Sequence, residues 1–340
     1  MSARLLLTRL TGAASLQDGG RHGYLRFGLS ASGPMDPLAF TAANRLVGNA
    51  PDAAAIELGL AGACLRAEGG AVRLALAGAP SGLHRDGEPI ASHRSFVLRE
   101  GSELTVERPR AGVFAYLAAA GGFPVRPVMG SRALHQRAGL GGLDGRPLSE
   151  GDRLPLGPVP PAGEAERGLD AIPLERDAPI RVVLGPQDDL FSEAGRATFL
   201  SREFTVSNRA DRMGYQLDGP EIVHGPGGFN IVSDATVAGS VQVPGSGRPI
   251  VLLADRQTTG GYPKIATVIS ADLRRLAQRR PGEGLRFAAV DLAAATRLAR
   301  ERAAALAGLA SGLRPVESEA ERLMAANLAG AAVDALRAED

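Results

Sequence analysis

The sequence predicts a mainly β protein: two β-rich halves, a few short helices and a helical C-terminal tail. Three observations carry this expectation. Gly at 44 and Pro at 23 of 340 residues imply many turns. Short runs rich in Val, Ile, Leu and Phe recur between turn signals over residues 55–155 and again over 180–288. A stretch with six prolines over residues 155–180 separates these regions, and an Ala-, Leu-, Arg- and Glu-rich stretch follows them. The expected organisation is a first β domain at 1–160, a linker at 161–178, a second β domain at 179–289 and a helical tail at 290–340. At ~150 residues per domain, the length agrees with two domains.

Composition narrows the function classes. Apolar residues make up 44%, enough for sizeable cores, but aromatics are only 4% and Trp is absent. The net charge of +1, with no dense basic stripe, argues against nucleic acid or an anionic membrane as the main partner. One cysteine, Cys64, excludes an internal disulfide and a cysteine zinc cluster. The N-terminal apolar run Leu5-Leu6-Leu7 is too short for a signal peptide, and no run approaches the ~18 residues of a spanning helix. A soluble cytoplasmic protein is expected.

In chain order, residues 15–36 read as loop and turn, then Asp36 and Pro37 open a helix to about Val47, stopped by Gly48. Leu38, Ala42 and Leu46 fall on its inner face and Asn44 lies away from it. Asp36 serves either as a cap alone or as a cap beside an anion site with Ser32 and Gly33. Val72–Leu76 alternates like a half-buried strand, Asp86-Gly87 marks a hairpin, and Phe96–Leu98, Leu104–Val106 and Val113–Leu117 are further strands. Gly139–Leu148 is Gly-rich but is no dinucleotide loop, because Asp144 holds the third Gly position. Ile180–Leu184, Phe204–Val206 and Leu285–Phe287 read as strands, Asp272–Arg280 as a short helix. Gly87-Glu88-Pro89-Ile90 and Gly247-Arg248-Pro249-Ile250 hint at duplicated β domains. Two helices fit the tail, at about 291–309 and 317–337.

The most informative stretch is Asp255-Arg256-Gln257-Thr258-Thr259-Gly260-Gly261-Tyr262-Pro263-Lys264, a polar Gly-Gly loop between the apolar runs Ile250–Ala254 and Ile265–Ile269. Of 38 Lys and Arg, Lys264 is the single lysine. Arg is used everywhere else, so this position points either to a need for a compact ammonium on a flexible stem or to the chance survival of one lysine codon in an Arg-biased sequence. Several familiar chemistries are absent from the sequence. No Walker A motif, His-Glu-x-x-His or Gly-x-Ser-x-Gly occurs, and the five histidines lack metal-ligand spacing, so no metal is expected. Lys264 is not framed as a biotinylated Met-Lys-Met. The polar residues left in ordered, Gly-rich places are Arg132, Asn208, Arg209, Asp234, Gln242, Asp255, Gln257, Thr259, Tyr262 and Lys264. Amides and Thr beside an acid and an amine suit a small substrate with a carbonyl and an N–H. Each also has a structural alternative: Asp255 pairing with Arg256 or Lys264, Asn208 capping a turn, Gln242 bridging strands.

Gln17-Asp18-Gly19-Gly20-Arg21, Ser32–Asp36, Ala43–Asn49, Ser207-Asn208-Arg209 with Met213-Gly214-Tyr215, Gln242-Val243-Pro244 and Ala254–Lys264 resemble the allophanate hydrolase subunit 2 family. That family includes the C subunit of 5-oxoprolinase and half of the carboxyltransferase region of urea carboxylase. The resemblance covers about residues 4–288. It implies tandem cyclophilin-like β-barrels and two partners, the A and the KipI-like B subunits of 5-oxoprolinase. Together they would open 5-oxoproline to glutamate with ATP, whose site is not identifiable in this chain. Biotin enters only in the relatives that carboxylate urea. The family motif reads Ser-Asn-Arg-Met-Gly-Tyr or carries inserted residues, so Arg209 and Arg212 both stand as the arginine facing the site. Under this resemblance Lys264 and Asp255 are the expected catalytic groups. Gln257, Thr259, Gly260, Gly261, Tyr262, Asn208, Arg209, Asp234, Gln242 and Arg132 would bind substrate. Three readings remain open: one component of a 5-oxoprolinase complex, a biotin-dependent carboxyltransferase acting on urea or a related amide, and a regulatory binding protein without turnover.

Overall fold

The computed structural model describes residues 3–158 and 166–316. A nine-stranded sheet holds β1 (Arg4–Gln17), β2 (Ala55–Glu68), β3 (Val72–Gly78), β4 (Leu83–Arg85), β5 (Glu88–Pro89), β6 (Ser95–Leu98), β7 (Glu103–Val106), β8 (Phe114–Ala119) and β9 (Arg153–Pro155). β1, absent from the sequence expectation, pairs along almost the whole of β2, from Arg4 opposite Glu68 to Gln17 opposite Ala55. On its other edge β2 pairs first with β8 and then with β7, so the sheet forks and rolls. Asp86 and Gly87 both take positive φ in the hairpin between β4 and β5.

The expected half-buried alternation at Val72–Leu76 is replaced by a strand buried on both faces. Leu74 and Leu76 enter the core of the first sheet, while the small Ala75 and Ala77 leave room for α1 (Pro37–Leu46) on the other face. β8 follows the same rule, with Leu117 on one side and Tyr116 on the other. Asp36 caps α1 by accepting from Ala39 N. Asn44 is buried rather than outward, bonding the Ala53 carbonyl and Asn49, because α1 is covered on nearly every side.

Residues 166–178 behave as a bonded strap. β10 (Arg167–Gly168) pairs with β21 (Arg314–Pro315), Glu166 pairs with Arg94, and Arg275 donates to the Ala178 carbonyl.

The second sheet has eight strands: β11 (Ile180–Leu184), β12 (Phe204–Ala210), β13 (Gly214–Asp218), β15 (Ser240–Gln242), β16 (Ile250–Leu252), β18 (Lys264–Val268), β19 (Gly284–Leu285) and β20 (Phe287–Ala289). β19 pairs with β12 at one end of the strand order and β20 with β11 at the other. The continuous segment 284–289 therefore ties one edge to the other and closes a barrel, which is why the single strand expected at Leu285–Phe287 is split at Arg286. β16 and β18 do not pair with each other; each flanks β15. A separate ribbon, β14 (Asp234–Ala235) with β17 (Thr259–Gly260), lies against the start of β18, where Lys264 bonds Asp234 and Ala235. The rhythm seen at Pro89 and Pro249 marks different places, since β5 is an edge strand and β16 an interior one.

Helix α2 (Glu193–Ser201), capped by Ser192, is not among the elements expected from the sequence. α3 (Leu273–Ala277) is shorter than the expected 272–280. Asp272 does not cap it, because its carboxylate takes Arg181 and Arg275 instead. α4 (Leu292–Gly308) matches the first tail helix and lays Ala295, Leu298, Arg302 and Leu306 half-buried along one face. The second tail helix, at about 317–337, falls outside the described residues. The core of the second barrel is continuous with the apolar layer around α1, so the halves share one cluster that runs from Phe40 and Tyr116 to Val241 and Phe287.

Candidate active site

Lys264 opens β18 directly opposite Gln242 on β15. Only 2% of its side chain is exposed. Its Nζ donates to Asp234 Oδ2 at 2.6 Å and to the Ala235 carbonyl at 3.0 Å, both on the β14 ribbon above it. Gln187 joins from the loop after β11: its Oε1 accepts from Lys264 N and its Nε2 donates to Asp234. These bonds, led by that of Lys264, hold the Asp234 carboxyl below its ordinary value. Gln257 Nε2 donates to Gln242 Oε1 at 2.9 Å. Gln242 Nε2 is buried and has no acceptor among the described residues. It lies so close to Gly260 that a Cβ there would sit 2.3 Å from it, which accounts for glycine at that place. The cluster thus holds a buried ammonium and an open amide N–H, covered by a two-stranded ribbon.

Asp255 belongs elsewhere. It takes a bidentate pair from Arg212, Nε to Oδ2 at 2.9 Å and Nη2 to Oδ1 at 3.0 Å. Arg212 Nη1 donates to Glu57 of β2, and Nη2 also donates to the Gly33 carbonyl. Glu57 in turn accepts from Tyr116 OH at 2.7 Å and from Met35 N at 2.9 Å. One guanidinium therefore bolts the two halves together. Burial works against its charge, but Glu57 and Asp255 outweigh burial and raise its pKa above the ordinary arginine value. Burial, then Glu57 and Asp36, push Tyr116 well above the usual phenol range. Glu57, Arg212 and Asp255 line a cavity of about 530 Å³ between the halves, with Leu60, Phe114 and Tyr215 on its walls. The cavity lining does not include Lys264.

Of the residues read from sequence, Asp234, Gln242, Gln257, Gly260 and Lys264 come together. Thr259 and Tyr262 are exposed beside them, and Gly261 ties the ribbon by accepting from Ile231 N. Asp255 is drawn off by Arg212, rather than by Arg256 or Lys264. Asn208 and Arg209 face solvent, because the β12–β13 register slips between Val206 and Ala210. Of the two arginines left open, Arg212 is the one that turns inward. Arg132 is held in the first half by the Val125 carbonyl and by Asp18. The corner at Ser32, Gly33 and Asp36 is filled by protein groups: the Asp36 carboxylate accepts from Arg274 and Gln278 as well as Ala39 N. Sequence reading missed Gln187 and Glu57. Glu57 had a signal, an acid inside an apolar strand run; Gln187 had none.

A family model for the carboxyltransferase domain, subdomain A and B, matches residues 27–289. The chain belongs to this family. This carboxyltransferase-domain protein is 39% identical over 293 residues to the C subunit of 5-oxoprolinase from Haemophilus influenzae, covering 85% of its own length and 92% of the relative's. It is 37% identical to the crystal structure of TTHA0988, with a TM-score of 0.76, covering 84% of this chain and 56% of that one. It also superposes on the Kluyveromyces lactis urea carboxylase at a TM-score of 0.82 and 26% identity, covering 94% of this chain but 30% of that one. The chain thus spans about half of TTHA0988 and under a third of the urea carboxylase.

Two cofactors raised by the resemblance can be tested against the residues present. In the Gly139–Gly145 turns, Gly139 N bonds Gln136 O, Gly142 N bonds Arg132 O and Gly145 N bonds Gly141 O, so these three glycine amides are not free to hold a phosphate. Lys264 is too buried to carry biotin.

Proposed function

We propose that this chain is the C subunit of a cytoplasmic, ATP-dependent 5-oxoprolinase that opens 5-oxo-L-proline to L-glutamate together with the A and B subunits. The pairing of a buried ammonium, Lys264 Nζ, with the acceptor-free Gln242 Nε2 beside it carries this reading. A lactam oxygen placed between them would receive two donors. Water adds to the carbonyl carbon, charge gathers on that oxygen, and Lys264 and Gln242 stabilise it electrostatically. The C–N bond then breaks, the ring nitrogen takes up the proton that the added water gave up, and glutamate leaves. Asp234 must let go of Lys264 for this to happen; its half-exposed side chain can turn into water. Gln257 fixes the Gln242 amide, and Tyr262 is exposed on the same loop. Asp255 acts at one remove, by holding the start of the 255–264 loop against Arg212. ATP hydrolysis is supplied by the complex, and no step here runs through the nucleotide. The 39% identity to a 5-oxoprolinase C subunit supports the choice of lactam. Co-expressing the chain with the A and B subunits and measuring glutamate formed from 5-oxoproline and ATP tests it; a folded complex that forms none would refute it.

The likeness to urea carboxylase favours a second reading, transfer of a carboxyl group from carboxybiotin to urea or a related amide. The buried Lys264 requires that biotin arrive on another polypeptide. Activity lost on adding avidin would select this reading.

A further inference from the structure

Exposed apolar side chains gather around the ribbon that holds Asp234 against Lys264. Of nine large ones among the described residues, five are Val223, Phe229, Val232, Val237 and Tyr262. Four lie on the chain between β13 and β15, and Tyr262 lies on the 255–264 loop. Backbone hydrogen bonds lay these two segments side by side: Ile231 N to the Gly261 carbonyl, β14 with β17, and Thr236 N to the Thr258 carbonyl. Val232, 93% exposed, and Tyr262 each follow a residue of the Ile231–Gly261 bond. Phe229 turns one side of its ring to Gly245 and His224 and leaves the rest in water. The other four are divided among the loop before α1, the turn at Met129 and the start of α4. Single apolar residues on a surface are ordinary, but five on adjoining segments mark an interaction site. The rim is acidic. Residues 186–195 adjoin the patch, with Gly225 N bonding the Leu190 carbonyl and Gln187 bonding Asp234. Over 186–195 and 219–239 the charged residues are Asp188, Asp189, Glu193, Glu221 and Asp234, with no Lys or Arg, although the whole chain has 38 basic and 37 acidic residues. The surface therefore fits a partner with an apolar centre and basic residues around it. A relative points to what that partner is. This chain matches 56% of TTHA0988, and that polypeptide goes on well beyond the shared region. The Haemophilus influenzae relative, covered to 92% of its length, is by its name one subunit.

We propose that the patch formed by Val223, Phe229, Val232, Val237 and Tyr262 is the docking surface for another subunit of the complex, the one whose sequence corresponds to the part of TTHA0988 outside this chain. The proposal rests on the reading that this chain works as a subunit; it does not depend on which amide is the substrate. A partner seated there lies over the Lys264–Gln242 pair, so assembly and the site are coupled.

The test titrates the full chain with the A and the B subunit separately and follows affinity, association rate and the oligomeric state of the chain alone. The subunit matching the remainder of TTHA0988 binds. Val232→Asp weakens that binding about tenfold or more and leaves the melting temperature of the chain unchanged, because the side chain stands in water. Asp189→Arg slows association several-fold at low salt, and the difference shrinks at high salt. Leu292→Asp, at an exposed apolar position on α4 away from the patch, leaves the affinity as it was. A Val232→Asp variant that binds as tightly as the wild type overturns the surface, as does a wild-type chain that binds neither subunit. A chain that self-associates and comes apart in Val232→Asp gives the patch to a second copy and overturns the occupant. A complex that assembles as expected but forms no glutamate leaves the docking surface standing and removes the lactam reading.

Discussion

Lys264 donates to Asp234 at 2.6 Å, yet the two side chains stand in different surroundings, one 2% and the other 48% exposed. The amine is fixed by the barrel, whereas its acid rides on a two-stranded ribbon at the surface. Such a pair is asymmetric: removing the acid from contact rehydrates it, while the ammonium keeps its place and gains an open side.

The first expected outcome concerns that acid. Its folded pKa is depressed, so its contribution is fully present above the unfolded value of ~3.9 and is lost as pH falls through the folded value. Carboxyl NMR of the wild type should show Asp234 titrating below the ordinary aspartate range. In Lys264→Met it should return most of the way to that range.

Arg212 joins Glu57 and Asp255 across the two halves. Arg212→Leu leaves two buried acids facing each other, and should destabilise the chain by about 3–5 kcal/mol. Glu57→Gln in the same background should recover part of the loss. Denaturant unfolding of the single and double variants measures both.

Gly260→Ala brings a methyl group onto Gln242 Nε2. The end of that side chain can move, so stability should fall by only about 1 kcal/mol. Turnover by the assembled complex should drop by roughly tenfold or more, since the displaced amide is one of the two proposed donors. A thermal melt and a glutamate assay separate these effects.

The parts of the site visible in the sequence are those that lie close along the chain or on paired strands. Gln257, Gly260 and Lys264 share one loop, and Gln242 meets Lys264 through strand register, so they lie together in space. Asp255 misled because its partners come from 43 residues away in Arg212 and, through Arg212, from Glu57 in the other half. No local pattern encodes such a pairing. Asn208 and Arg209 misled because a register slip of β12 turns them outward, and a slip leaves no mark in the residue types. The fold class was legible from turn residues and short apolar runs. β1 was not, because Thr8, Arg9 and Thr11 interrupt its apolar run, and the closure of the second barrel at Arg286 depends on pairing with two distant edges.

The most direct test of the Lys264 assignment is Lys264→Met in the complex with the A and B subunits, assayed for glutamate from 5-oxoproline. Met keeps the buried stem and removes the charge, and the released Asp234 can hydrate, so the melting temperature should stay within a few degrees. Turnover should fall by about a thousandfold, to the limit of detection. A folded Lys264→Met complex that still forms glutamate at a rate near the wild type would contradict the role given to this lysine.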